Sequence, residues 1–116
     1  MFPYMVDSSQ ATGGGDIPSF TWHPFEPDTA FVVAEVGGLE VVPLPVEHGM
    51  YFNEMPPRAY MCMGFRVGDL AYISDASRIS EETKAKIEGS KVLVLDALRE
   101  TPHASHFSFQ EVRPYF

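Results

Sequence analysis

Apolar and polar positions alternate along much of this chain, and the alternation divides it into short strands. Phe20, Trp22 and Pro24 stand against Thr21 and His23, so Ser19 to Phe25 reads as a half-buried strand. Phe31 to Val36 predicts a second strand. Gly37-Gly38 is a two-residue hairpin signal, and Leu39 to Val46 is its partner. Pro43 and Pro45 cannot donate ladder hydrogen bonds, which puts that end of the strand at a sheet edge or at an exit to a loop. Glu47 to Ala59 reads as irregular. Tyr60 to Val67 and Leu70 to Ser74 form a second hairpin around Gly68-Asp69.

The period then changes. Ser80 is a helix N-cap followed by Glu81 and Glu82, with Lys84 and Lys86 later and Gly89 past the end. Lys91 to Leu95 is a continuous apolar run, the mark of a strand buried on both faces. Ser108-Phe109-Gln110-Glu111 is a capping box opening another helix, yet the sequence stops five residues later, which suggests a truncated chain. Residues 1–18 lack periodicity and contain the break Gly13-Gly14-Gly15. A meander followed by strand, helix, buried strand and helix start predicts an α/β (α+β layered) fold.

Composition narrows the function classes. With 116 residues the chain forms one small domain, and 45% hydrophobic content argues against a disordered chain. Ten prolines and nine glycines imply frequent connections and few helices. A net charge of −8 with no basic cluster argues against nucleic acid and anionic membranes as partners. Cys62 is the only cysteine, so no internal disulfide forms, in keeping with a reducing, cytoplasmic setting. It lies in Tyr60-Met61-Cys62-Met63 and reads as a small buried hydrophobe. There is no membrane-length apolar run and no signal-peptide layout.

Candidate chemistry collects where strands end. Leu39–Val46 runs into Glu47-His48, Leu70–Ser74 into Asp75, and Lys91–Leu95 into Asp96. Ligand sites of layered sheets gather at carboxyl ends, and an imidazole with a carboxylate suits Zn, Mn or Fe. By spacing alone His48 is equally a loop histidine, Asp75 a turn carboxylate and Asp96 a loop anchor. His103 and His106, three apart, are metal ligands, acid–base groups, phosphate contacts or a solvated pair. His23 reads as a surface residue.

Three of these segments are specific in combination. Leu39-Glu40-Val41-Val42-Pro43-Leu44-Pro45-Val46-Glu47-His48-Gly49 resembles the strand and third metal motif of metallo-β-lactamase-fold hydrolases, nearest the branch of the cyclic phosphodiesterase of phosphonate metabolism. Gly68 to Ile79 (Gly-Asp-Leu-Ala-Tyr-Ile-Ser-Asp-Ala-Ser-Arg-Ile) resembles the fourth motif. Val92 to Arg99 with His103-Ala104-Ser105-His106-Phe107-Ser108 resembles the next strand and its histidine loop. Phe2-Pro3-Tyr4 and Gly13-Gly14-Gly15 resemble the region upstream. The resemblance implies that His48 is a metal ligand and that Asp75 bridges two ions, Zn or Mn. It also implies that His106 meets the substrate with His103 beside it, and that Asp96 orients a ligand or loop.

The departures imply as much. The family's His-x-His-x-Asp-His motif does not occur in the chain, and the histidine that follows the helix starting at Ser108 is absent. With only His48 and Asp75 carried over, metal binding is expected to be weak or lacking, since zinc sites use three or more protein ligands. The expectation is a single partial αβ/βα-sandwich domain over 1–116: a loop-rich lead-in (1–18), a β-rich part (19–75) and a helix–strand–helix start (76–116). Its function is metal-dependent hydrolysis of a phosphodiester or ester in a small-molecule substrate, incomplete in this chain, with a homo-oligomer left open. The segment Met50–Ala59 is either a lid or substrate wall, or a surface insertion. Two other readings stand beside this one: a degenerate scaffold domain of the same fold, and an unrelated β-rich binding protein that would hold His48 and Asp75 far apart.

Overall fold

The computed structural model describes Asp7 and residues 20–115. The expectations for Phe2-Pro3-Tyr4 and for Gly13-Gly14-Gly15 fall outside these residues. Five strands form one sheet in chain order: β1 (Phe31–Val33), β2 (Leu39–Tyr51), β3 (Arg58–Val67), β4 (Leu70–Ile73) and β5 (Val92–Leu95). Each pair is antiparallel except β4 with β5, which the helix α1 (Glu81–Ile87) connects in parallel. A second short helix, α2 (Phe109–Val112), continues into a 3-10 turn at Arg113–Tyr115. The sheet with helices on one face is the α+β layering expected.

The register assigns the two faces. Val42 pairs with Arg66, Arg66 with Ala71, and Ala71 with Leu93, so their side chains share one side of the sheet. Leu44, Val46, Ala71 and Ile73 on that side are buried against Ile79, Ile87, Phe107 and Val112. Each such aliphatic burial contributes about 1.5–3 kcal/mol. Gly64 sits at the tightest point. A Cβ there would meet Ile73 Cγ1 at 2.6 Å and the Tyr72 carbonyl at 2.8 Å, so only glycine lets β3 and β4 approach.

Helix α1 is tied to the sheet at both ends. The Ser80 hydroxyl accepts from the Thr83 amide at 3.2 Å, and the buried Thr83 hydroxyl donates to the Pro45 carbonyl at 2.7 Å. At the other end the Arg66 guanidinium donates to the carbonyls of Gly68, Lys86 and Glu88 at 2.7–2.9 Å. Helix α2 begins as the capping signal predicts. The Glu111 carboxylate accepts from the Ser108 amide at 2.8 Å and from its hydroxyl, and these bonds hold Glu111 below its usual carboxylate range.

Several elements differ from the pattern. Residues 20–25 are not a strand, because no strand among the described residues takes up their hydrogen bonds; Trp22 is 61% exposed, with its ring 5.8 Å from that of Phe20. The strand expected over Phe31–Val36 ends at Val33, and Ala34–Val36 curl into a 3-10 turn ahead of Gly37-Gly38. The irregular segment is confined to 52–57, since β2 extends to Tyr51 and β3 starts at Arg58. Lys91–Leu95 is not buried on both faces: Leu93 and Leu95 face the helices, whereas Val92 and Val94 are exposed.

Pro43 and Pro45 match their edge assignment. The Glu47 amide donates to Arg78 rather than to β3, and backbone groups alternate sides, so the nitrogens of both prolines also face away from β3. Strand β1 covers β2 only from Leu39 to Val41 and leaves that side free of a strand beyond.

Candidate metal centre

Strands β2, β4 and β5 run in the same direction, and their carboxyl ends deliver the polar residues. Along β2 the pairing advances three residues, Glu47 to Met50, while β3 advances two, Met61 to Ala59. This β-bulge takes in His48 and Gly49 and turns His48 out of the ladder. Gly49 adopts φ 78°, and a Cβ on it would lie 3.0 Å from Ser105 Cβ. The glycine therefore permits both the bulge and the approach of the 103–106 loop. The Gly49 amide donates to the Ser77 hydroxyl at 3.0 Å, which itself donates to the Glu47 carbonyl at 3.1 Å. These bonds fasten the loop after β4, and Asp75 with it, to the bulge.

His48, Asp75 and His106 converge there. One ligand atom from each lies within 4.8 Å of the others, and all three residues are half-buried. The two imidazole rings are 4.7 Å apart, edge to face. His48 Nδ1 is 2.6 Å from the Ser105 carbonyl, and a carbonyl only accepts, so this nitrogen carries the proton. His106 Nδ1 is 2.8 Å from the Asp96 carboxylate, which assigns its proton in the same way. Both rings therefore keep the Nε2 lone pair for another partner. A ring nitrogen bonded to a carbonyl or carboxylate, leaving the other nitrogen to coordinate, is the usual arrangement of a metal-binding histidine.

Among the described residues, the Asp75 carboxylate accepts no hydrogen bond. Nearby Cys62 is half-buried rather than fully enclosed; burial first, and then the Asp75 charge, push its thiol up, so it stays neutral. Asp96 also accepts from the Ala76 amide at 3.3 Å, linking the ends of β4 and β5. His103 stands apart from the three donors. Its ring is 5.3 Å from that of His106, and its Nδ1 accepts from the Ser105 amide at 3.3 Å. His23 is exposed, away from these residues. A groove of about 570 Å³ between Leu39, Val42, Arg66 and α1 opens at the opposite end of the sheet and includes none of them.

Spacing alone leaves His106 as a metal ligand, an acid–base group, a phosphate contact or a solvated residue. It stands beside His48 and Asp75, so three donors converge where only two were carried over. The contact that aims its ring, 2.8 Å from His106 Nδ1 to the Asp96 carboxylate, joins two separate chain segments and is not encoded in their spacing. The bulge at His48 was signalled by a glycine inside an apolar strand.

A helix-backed sheet with imidazoles and a carboxylate at its carboxyl edge is the architecture of a metallo-β-lactamase-type protein. The beta-lactamase superfamily domain matches residues 2–113, and the chain belongs to that superfamily. Within it, the chain falls in the PhnP-like branch. A solved structure described as a new diphosphatase from the PhnP family shares 30% identity and a TM-score of 0.61. That match covers 76% of this chain and 30% of the other, so this chain spans about a third of its length. No curated protein matches the chain. The unrelated β-rich reading is thereby overturned, as is the separation of His48 from Asp75 that it required. Membership implies a divalent metal, and the donor set fits one: two imidazoles with directed lone pairs and a carboxylate, the types that Zn and Mn accept.

Proposed function

We propose that this chain supplies part of the metal centre of a hydrolase acting on a phosphodiester, diphosphate or ester bond. The observation that carries this reading is the convergence of His48, Asp75 and His106 within 4.8 Å, with both Nδ1 atoms held by acceptors. His48 Nε2, His106 Nε2 and an Asp75 oxygen would hold the ion. A bound divalent ion would supply Lewis-acid activation of water and of the substrate's oxygens. Asp96 and the Ser105 carbonyl fix the two ring planes, so little reorganisation accompanies binding. His103, whose ring lies 5.3 Å from that of His106, would donate a proton or hydrogen bond to a substrate oxygen.

Three donors are fewer than a two-ion site needs, and the exposed apolar side of the sheet fits a layer that a larger domain would cover. Full activity would then require further ligands. Zinc and manganese titration by calorimetry tests the reading. We expect one ion per chain, bound weakly, with binding abolished in His48→Ala and reduced at least roughly tenfold in Asp75→Asn. Absence of any binding would favour a degenerate scaffold domain. Tight binding of two ions would overturn the claim of an incomplete centre.

A further inference from the structure

The segment joining β2 to β3 forms an arm that rises from the candidate metal centre, and it is lined with rings. The Tyr60 ring lies 6.0 Å from that of His48, edge to face. Tyr51 packs edge to face on Tyr60 at 5.1 Å, and the Arg58 guanidinium stacks over Tyr51 at 4.5 Å. Arg58 is fixed in turn by two hydrogen bonds to Glu54, at 2.9 and 3.0 Å. The arm is thus braced from within. Even so, Tyr60 is 41% exposed, and at the tip Phe52 and Met55 are 75% and 92% exposed.

Isolated exposed apolar residues need no explanation, but a braced group of them beside a reaction centre does. Alternation on β3 places Tyr60 on the same side of the sheet as Cys62, the side on which the centre lies. A substrate held at the three donors would lie within reach of Tyr60. Tyr60 is one ring away from His48, so the part of the substrate it meets is the group bonded directly to the reacting phosphoryl or ester.

We propose that Tyr60, supported by Tyr51, is a stacking platform that selects substrates carrying a planar aromatic group next to the hydrolysed bond. An aryl phosphate or aryl ester presents such a group, whereas in a nucleoside 5′-phosphate the ribose lies between base and phosphoryl, and a ring face stacks well on tyrosine. The inference rests on the metal-centre reading above and adds the substrate class. Arg58, engaged by Glu54, braces Tyr51 and does not contact the anion.

The test is ligand binding rather than turnover. The full chain, with zinc, is titrated with phenyl phosphate, adenosine monophosphate and methyl phosphate, and binding is followed by saturation-transfer NMR. We expect phenyl phosphate to bind at least roughly tenfold more tightly than methyl phosphate, and adenosine monophosphate, whose ribose separates its base from the phosphoryl, to fall short of phenyl phosphate. That preference should disappear in Tyr60→Ala and persist within about twofold in Tyr60→Phe, which keeps the ring. Equal affinity for all three ligands in the wild-type chain overturns the platform while leaving the metal centre standing. Failure of zinc to bind in calorimetry overturns both. Loss of the preference in Tyr60→Phe shows that the hydroxyl rather than the ring face is used, and overturns stacking.

Discussion

The two faces of the sheet differ more than their sequences suggest. On one, Leu44, Val46, Ala71 and Ile73 are sealed by α1, α2 and the segment between β5 and α2. On the other, Phe25 and Phe31 cover only the neighbourhood of Phe65, where Phe25 and Phe65 meet edge to face at 5.8 Å. Beyond that point Met61, Leu70, Tyr72, Val92 and Val94 remain exposed, although all are large hydrophobic side chains. Composition along a strand therefore reports how many faces are built to be covered. Which face is covered within this chain depends on the elements that return to it. The helices return to the side that also bears the donors, so the centre rests on a packed floor.

The largest test of this difference is Leu44→Ala. Leu44 is fully buried at the middle of β2 beneath the helices, and truncation leaves a cavity that neighbours on three strands cannot close. We expect a loss of about 2–5 kcal/mol, read as a lower denaturant midpoint at unchanged slope. A cost below about 1 kcal/mol, the usual scale of an ordinary substitution, would mean that the helix-covered side is not the core.

Much of this arrangement was legible because it depends on neighbours in the sequence. The Ser80 cap, the Gly68-Asp69 turn and the capping box at Ser108 each act within four residues, and each forms where its signal lies. The failures share a different cause. Alternation over residues 20–25 is a statement about period, and a strand also needs a partner that the sequence does not name. The apolar run Val92–Leu95 indicates two covered faces, yet only one cover lies within the described residues. At the centre, the candidates His48 and Asp75 were legible from strand ends. Spacing offered His106 as a metal ligand among other roles but could not choose it over His103, because that choice depends on Asp96 aiming its ring from another loop.

A medium effect is expected where the cover is attached. Ser80 caps α1, and Thr83 in the same turn anchors it to β2 through the Pro45 carbonyl. Ser80→Ala removes the acceptor for the Thr83 amide and should cost about 1 kcal/mol. Ser80→Asp, which keeps an acceptor and places a negative charge at the helix start, should recover most of it. Thermal melts of the two variants check this, and equal melting temperatures would show that the tertiary anchor alone holds the helix.

The smallest effect on stability is expected on the bare face, and there its smallness is informative. Val94 is 42% exposed and lies on β5, which among the described residues pairs with β4 alone and so presents an open edge. Val94→Thr keeps the β-branched shape that a strand favours while making the exposed side polar. Little apolar burial is lost, so stability should change by no more than about 0.5 kcal/mol. An open apolar edge is also a template for pairing with another chain, and the added hydroxyls should reduce concentration-dependent association. Denaturation and sedimentation on the same samples separate the two effects. If Val94→Thr instead costs as much as Leu44→Ala, and the cost shrinks on dilution, the face is covered in solution by a second copy. The asymmetry between the two sides would then belong to the isolated chain alone.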